Sequence, residues 1–69
     1  MKLFNLNLGL GLATIVAEDA MQALCLILDH KVLKYMYKGV SAKDILKDLT
    51  EIPGYNVSGE PSVIAFYRE

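Results

Sequence analysis

The chain has a single cysteine, no tryptophan and two prolines, and its charges nearly balance. One cysteine excludes an internal disulfide and any zinc site built on several thiolates, the staples that most often rescue very small domains. Seven Lys+Arg stand against eight Asp+Glu, a net charge of −1, so no global field draws the chain to nucleic acid or to an anionic surface. Long hydrophobic runs are missing too. No stretch approaches the ~18 uninterrupted apolar residues of a spanning helix, and no membrane contact is expected.

What is present is apolar surface. Of 69 residues, 54% are hydrophobic, in a chain close to the lower size limit for a core without staples. One compact domain over residues 1–69 is expected. A core of that size leaves apolar side chains uncovered, which points to a homo-oligomer or to a protein partner. Met1-Lys2 followed by an apolar stretch superficially resembles a secretory signal, but Asn5 and Asn7 interrupt it and its basic part is one lysine. A structural hairpin and a cytoplasmic location are therefore expected.

Phe4, Leu6, Leu8 and Leu10 alternate with Leu3, Asn5, Asn7 and Gly9, the period of a strand that buries its even side. Gly9-Leu10-Gly11 permits a reversal, and residues 12–17, with Thr14, Ile15 and Val16, make a second strand. The glycines do not open a dinucleotide-binding loop, because Thr14 stands where the third glycine belongs. At Glu18-Asp19 the period changes. Asp19 is a good N-cap, with Gln22 placed to return a hydrogen bond, and residues 20–37 read as one long helix. That helix is apolar on two sides. Met21, Leu24, Cys25, Leu28, Val32, Tyr35 and Met36 form the stripe assigned to the sheet, and Leu26, Leu33 and Tyr37, with Ala23, Ile27 and His30 beside them, form a second one.

Gly39 is placed to end the helix in the left-handed conformation. Ser41 caps a second helix, with Val40 able to staple onto Ile45. Over residues 41–52, Ile45, Leu46, Leu49 and Ile52 share a face, and Pro53-Gly54 stops it. Residues 55–60 form a loop, and Pro61 precedes a last strand, Ser62–Arg68. The expected fold is α+β, a three-stranded antiparallel sheet with two helices on one face, in the order ββααβ.

Candidate chemistry is sparse. Five residues apart on a helix, Cys25 and His30 diverge by about 140° and cannot form a nucleophile and base pair. Cys25 is expected to pack as a small core hydrophobe. His30 has no second ligand at helical spacing, Asp19 and Asp44 have capping roles, and Asp48 and Glu51 are read as solvated. No enzyme activity, no metal and no cofactor are expected. The second stripe supplies the expected oligomer or partner interface, Leu26, His30, Leu33 and Tyr37. Lys31, Lys34 and Lys38 form a row able to meet an anionic partner, although a solvated flank explains it as well and nucleic acid is an unlikely ligand on charge grounds. Asn56-Val57-Ser58 matches a glycosylation acceptor and is read as a turn.

The junction Ala13-Thr14-Ile15-Val16-Ala17-Glu18-Asp19-Ala20-Met21-Gln22-Ala23 resembles one in very small ββαβ proteins of phages, prophages and mobile elements. In those proteins a strand ending in Val-Ala-Glu enters an alanine-bearing helix, and a final strand similar to Ser62–Arg68 closes the layer. The resemblance covers about half of the chain, and the second helix departs from it. It implies a module that binds one host protein, such as an anti-defence, anti-CRISPR-like inhibitor acting by surface occlusion. A small nucleic-acid-associated regulator using the lysine row is the alternative.

Overall fold

The computed structural model describes residues 1–9 and 11–68, with the backbone alone for Tyr67 and Arg68. The expectation that Leu10 points inward falls outside the described residues. Strands β1 (Lys2–Asn7), β2 (Gly11–Ala17), β3 (Leu49–Ile52) and β4 (Ser62–Arg68) form an antiparallel sheet in the order β3-β1-β2-β4. Helices α1 (Ala20–Asp29), α2 (Leu33–Met36) and α3 (Ala42–Lys47) lie between β2 and β3 in the chain. The α+β class holds, with one strand and one helix more than expected.

The alternation in β1 builds the sheet as the sequence implies. Phe4 and Leu6 are buried, Asn7 is exposed and Asn5 is half-buried. Phe4 is level with Ile15 and Leu6 with Ala13, all four in one core cluster with Ala23, Leu24 and Ile27 of α1, Leu33 of α2, Tyr37, and Ile45 of α3. Every helix therefore contributes to the same face of the sheet. Three alanines, Ala13, Ala17 and Ala23, are fully buried in this cluster, and their small side chains allow the close-packed density of a protein interior in so short a chain.

The expected helix over 20–37 is broken. Residue His30 leaves α1 in an extended conformation, φ −71° and ψ 134°, and its imidazole Nδ1 accepts from the backbone N–H of Val32 at 3.2 Å and of Leu33 at 3.1 Å. A ring nitrogen thus does for the turn that leads into α2 what an Asp or Asn oxygen does at an ordinary N-cap, satisfying donors at its start. Its ring also lies 5.9 Å from that of Phe66 on β4, which anchors the break to the sheet.

The break corrects the assignment of the two stripes. Ala23, Ile27 and Leu33 have no exposed surface and Tyr37 only 8%, so the second stripe faces the sheet. Met21, Cys25, Leu28, Tyr35 and Met36, expected in the core, are exposed; Leu24 is buried and Val32 half-buried. Two faces of similar apolar content cannot be ranked by periodicity alone. The turn at His30 then re-aims the following residues so that Leu33 and Tyr37 continue the inner side.

The second helix is also shorter than expected. Its N-cap is as read, with Ser41 Oγ accepting from Asp44 N–H at 3.2 Å, but α3 ends at Lys47. The Asp48 carbonyl accepts from the N–H of Asn7 at 2.9 Å, and residues 49–52 run on as edge strand β3, Leu49 level with Leu6 and Ile52 with Leu3. Pairing there gives partners to backbone groups of β1 as well as of β3, whereas another helical turn would leave that edge of β1 open. Leu46 and Leu49 still pack against the core, while Ile52 lies on the other side of the sheet.

Val16 lies on that other side too, level with Leu3, and is only 2% exposed although it is outside the main cluster. The segment after Ile52 must cross from one sheet edge to the other. It is held to the start of the chain by Val57 N–H on the Met1 carbonyl at 2.8 Å, and by the Met1 amino group on Val57 O at 2.8 Å and Asn56 Oδ1 at 2.9 Å.

Candidate interaction surface

The inner face of α1 is set by Ala23 and Ile27, roughly 40° apart, so residues about 180° from them must point to solvent. Those residues are Met21, Cys25 and Leu28, at i, i+4 and i+7, within about 60° of one another. Met21 is 59% and Leu28 47% exposed, with Cys25 exposed between them. The helix is started by the predicted cap, Asp19 Oδ1 accepting from Gln22 N–H at 2.8 Å. The return bond lands one residue early, from Glu18 N–H to Gln22 Oε1 at 2.7 Å. A helix anchored at both ends presents its outer stripe rigidly, which lowers the ordering cost of binding.

On α2, Tyr35 is the most exposed large apolar residue, at 69%, with Met36 beside it and Val40 just beyond. Lys34 Nζ sits 5.2 Å from the centre of the Tyr35 ring. This arrangement favours a cation over the aromatic face. Methionine and tyrosine are the side chains that adapt to, or anchor, a protein partner most readily.

The expected interface residues end up elsewhere. Leu33 and Tyr37 are core residues, Leu26 is half-buried against the core, and half-buried His30 holds the turn that leads into α2. Buried side chains cannot serve as exposed anchors, so Leu33 and Tyr37 belong to the inside of the fold and the expected seam of Leu26, His30, Leu33 and Tyr37 is not an outer face. Lys31, Lys34 and Lys38 are all exposed, but α2 spans only Leu33–Met36, so they do not form one row along a continuous helix. The ion pairs found among the described residues join Lys2 to Glu51 and Lys47 to Asp44, leaving those three lysines aside.

Among the described residues, a larger and a smaller cleft flank this surface. The larger, about 370 Å³, is lined by Asn7, Leu8, Gly9, Met36, Tyr37 and Asp48. Its polar groups are engaged within the chain: the Tyr37 hydroxyl donates to Asp48 Oδ2 at 3.1 Å, and Asn7 Oδ1 accepts from Gly9 N–H at 2.9 Å. Burial, and then the Asp48 carboxylate, push the Tyr37 hydroxyl up to about 12, which keeps it a donor across the ordinary pH range. The smaller, about 230 Å³, lies between α1 and the start of β4, lined by Leu26, Asp29, His30, Pro61, Ser62 and Val63. Among the described residues, no group of three His, Cys, Asp or Glu is gathered as metal ligands would be, and no helix is long and apolar enough to cross a membrane.

No protein-family model matches the chain, and no curated protein or solved structure matches it either.

Proposed function

We propose that this chain is a non-enzymatic protein-binding module that covers part of a partner's surface with the outer side of its helical layer. The observation that carries the reading is the exposure of Met21, Cys25 and Leu28 along one line of a helix capped at both ends. Three neighbouring apolar side chains left in water by a chain with so small a core are a feature that binding would explain and folding does not. The resemblance of residues 13–23 to phage and mobile-element modules makes the partner a host protein, with inhibition by occlusion as the outcome.

A tagged chain passed through host lysate should retain one protein in stoichiometric amount, and Leu28→Asp should lose it without a change in melting temperature. Equal capture by the variant would contradict the reading. A nucleic-acid regulator is kept as a second reading by one observation, the exposure of Lys31, Lys34 and Lys38 with Tyr35 beside Lys34. A salt-sensitive shift of labelled DNA or RNA that disappears on Lys34→Glu would favour it.

A further inference from the structure

The charges of this chain are unevenly placed. Four of its seven basic residues, Lys31, Lys34, Lys38 and Lys43, follow one another with no Asp or Glu between Asp29 and Asp44. The rest of the chain is left with three basic residues against eight acidic ones. These lysines lie on α2, on the turns at either side of it and on the first turn of α3, and all four are exposed. The ion pairs among the described residues use Lys2 and Lys47 instead. The same segment holds Tyr35 at 69% exposed, Met36 at 37% and Val40 at 41%, and the Lys34 ammonium lies over the Tyr35 ring. Exposed lysines alone are ordinary, and so is one exposed tyrosine. Together, with no carboxylate among them, they make a surface of one sign with apolar side chains between the cations.

Resting on the reading of this chain as a protein-binding module, we infer that this segment receives a short acidic stretch of the partner. Carboxylates of that stretch meet the lysines, and an apolar side chain among them meets Tyr35 and Met36. Charge complementarity selects this occupant. The surroundings set its length. Asp29 and Asp44 bound the segment in the chain, both exposed, and Asp48 borders it in space by accepting the Tyr37 hydroxyl at 3.1 Å. A short acidic stretch fits between these carboxylates, whereas a long polyanion would run over them and be repelled. The segment also contains no arginine, the side chain whose planar fork grips a phosphate in two places; an ammonium is a point charge that a carboxylate meets from any side. Both features favour an acidic protein segment over nucleic acid.

The probe is a short fluorescent peptide of glutamates around one phenylalanine. Its anisotropy should rise on titration with the full chain, and the binding should weaken as salt is raised. Lys34→Glu combined with Lys38→Glu should weaken it about tenfold, and Tyr35→Ser should weaken it too, both at an unchanged melting temperature because all three side chains are exposed. Leu28→Asp should leave peptide binding as it is, so the outer line of α1 and this segment are read separately. No binding of the peptide overturns the inference, and so does equal binding of a peptide with glutamine in place of glutamate. Tighter binding of a DNA oligonucleotide of the same charge overturns it in favour of nucleic acid. Self-association of the chain that is lost on Lys34→Glu overturns it in favour of a second copy. A partner retained from lysate equally by the unaltered chain and by the doubly substituted one overturns it while the reading as a binding module stands.

Discussion

The imidazole Nδ1 of His30 accepts the backbone N–H of Leu33 at 3.1 Å, and Leu33 is fully buried in the core. The two facts belong together. A side chain that ends one helix also starts the next, and the residue it starts with is turned to the sheet. Loss of the imidazole removes the acceptor for two N–H groups and the neighbour of Phe66. His30→Ala should therefore destabilise the protein by ~1 kcal/mol, and His30→Asn, which keeps a side-chain acceptor, by less. For a domain of this size, ~1 kcal/mol lowers the melting temperature by about 4–8 °C, which thermal denaturation will read.

Leu33→Ala should cost ~2–5 kcal/mol, as deletion of a fully buried leucine does, whereas Leu28→Ala should change stability by no more than about 0.5 kcal/mol. Urea denaturation of the two variants distinguishes the faces directly. The reverse order would restore the arrangement in which the stripe containing Leu28 lies against the sheet.

The same comparison within β1 tests its register. Leu6 is fully buried and level with Ala13 and Leu49, so Leu6→Ala should cost ~2–5 kcal/mol. Asn5 makes one long contact, accepting from the Thr14 hydroxyl at 3.5 Å, and Asn5→Ala should change little.

Tyr37 should titrate near 12 rather than at its ordinary 10.0, because burial and then the Asp48 carboxylate disfavour the phenolate. With the folded pKa above the unfolded one, the folded state holds its proton longer. The resulting stabilisation is complete below pH ~10 and is lost as pH rises toward about 12. Ultraviolet titration of the native protein should show one late tyrosine that is absent in Tyr37→Phe, and the variant's stability should fall less steeply over that interval.

Much of the fold was legible because its signals are local. The alternation of Phe4 and Leu6 with Asn5 and Asn7, the caps at Asp19 and Ser41, the positive φ of Gly39 at +81° and the bounds of β4 each rest on a few neighbouring residues. The break at His30 was not legible by the usual breakers, since neither proline nor glycine marks it. The signal that was there is a histidine between Asp29 and Lys31, a polar triplet interrupting an apolar helix, with a ring nitrogen able to cap. Strand β3 was missed because Leu49-Thr50-Glu51-Ile52 suits a helix face and a four-residue edge equally, and only the pairing with β1 decides. The inner and outer sides of α1 were exchanged for a related reason: Met21, Cys25 and Leu28 are as apolar as Ala23 and Ile27, and which set lies inside depends on tertiary packing.

The measurement that tests the central claim most directly uses Cys25, which lies in the middle of the exposed line of α1. The folded protein should react fully with a bulky maleimide, keep its melting temperature, and lose the partner that the unmodified chain retains from lysate. Cys25 resisting modification until the protein unfolds, or the labelled chain retaining the same partner in the same yield, would contradict the claim that this face is the binding surface.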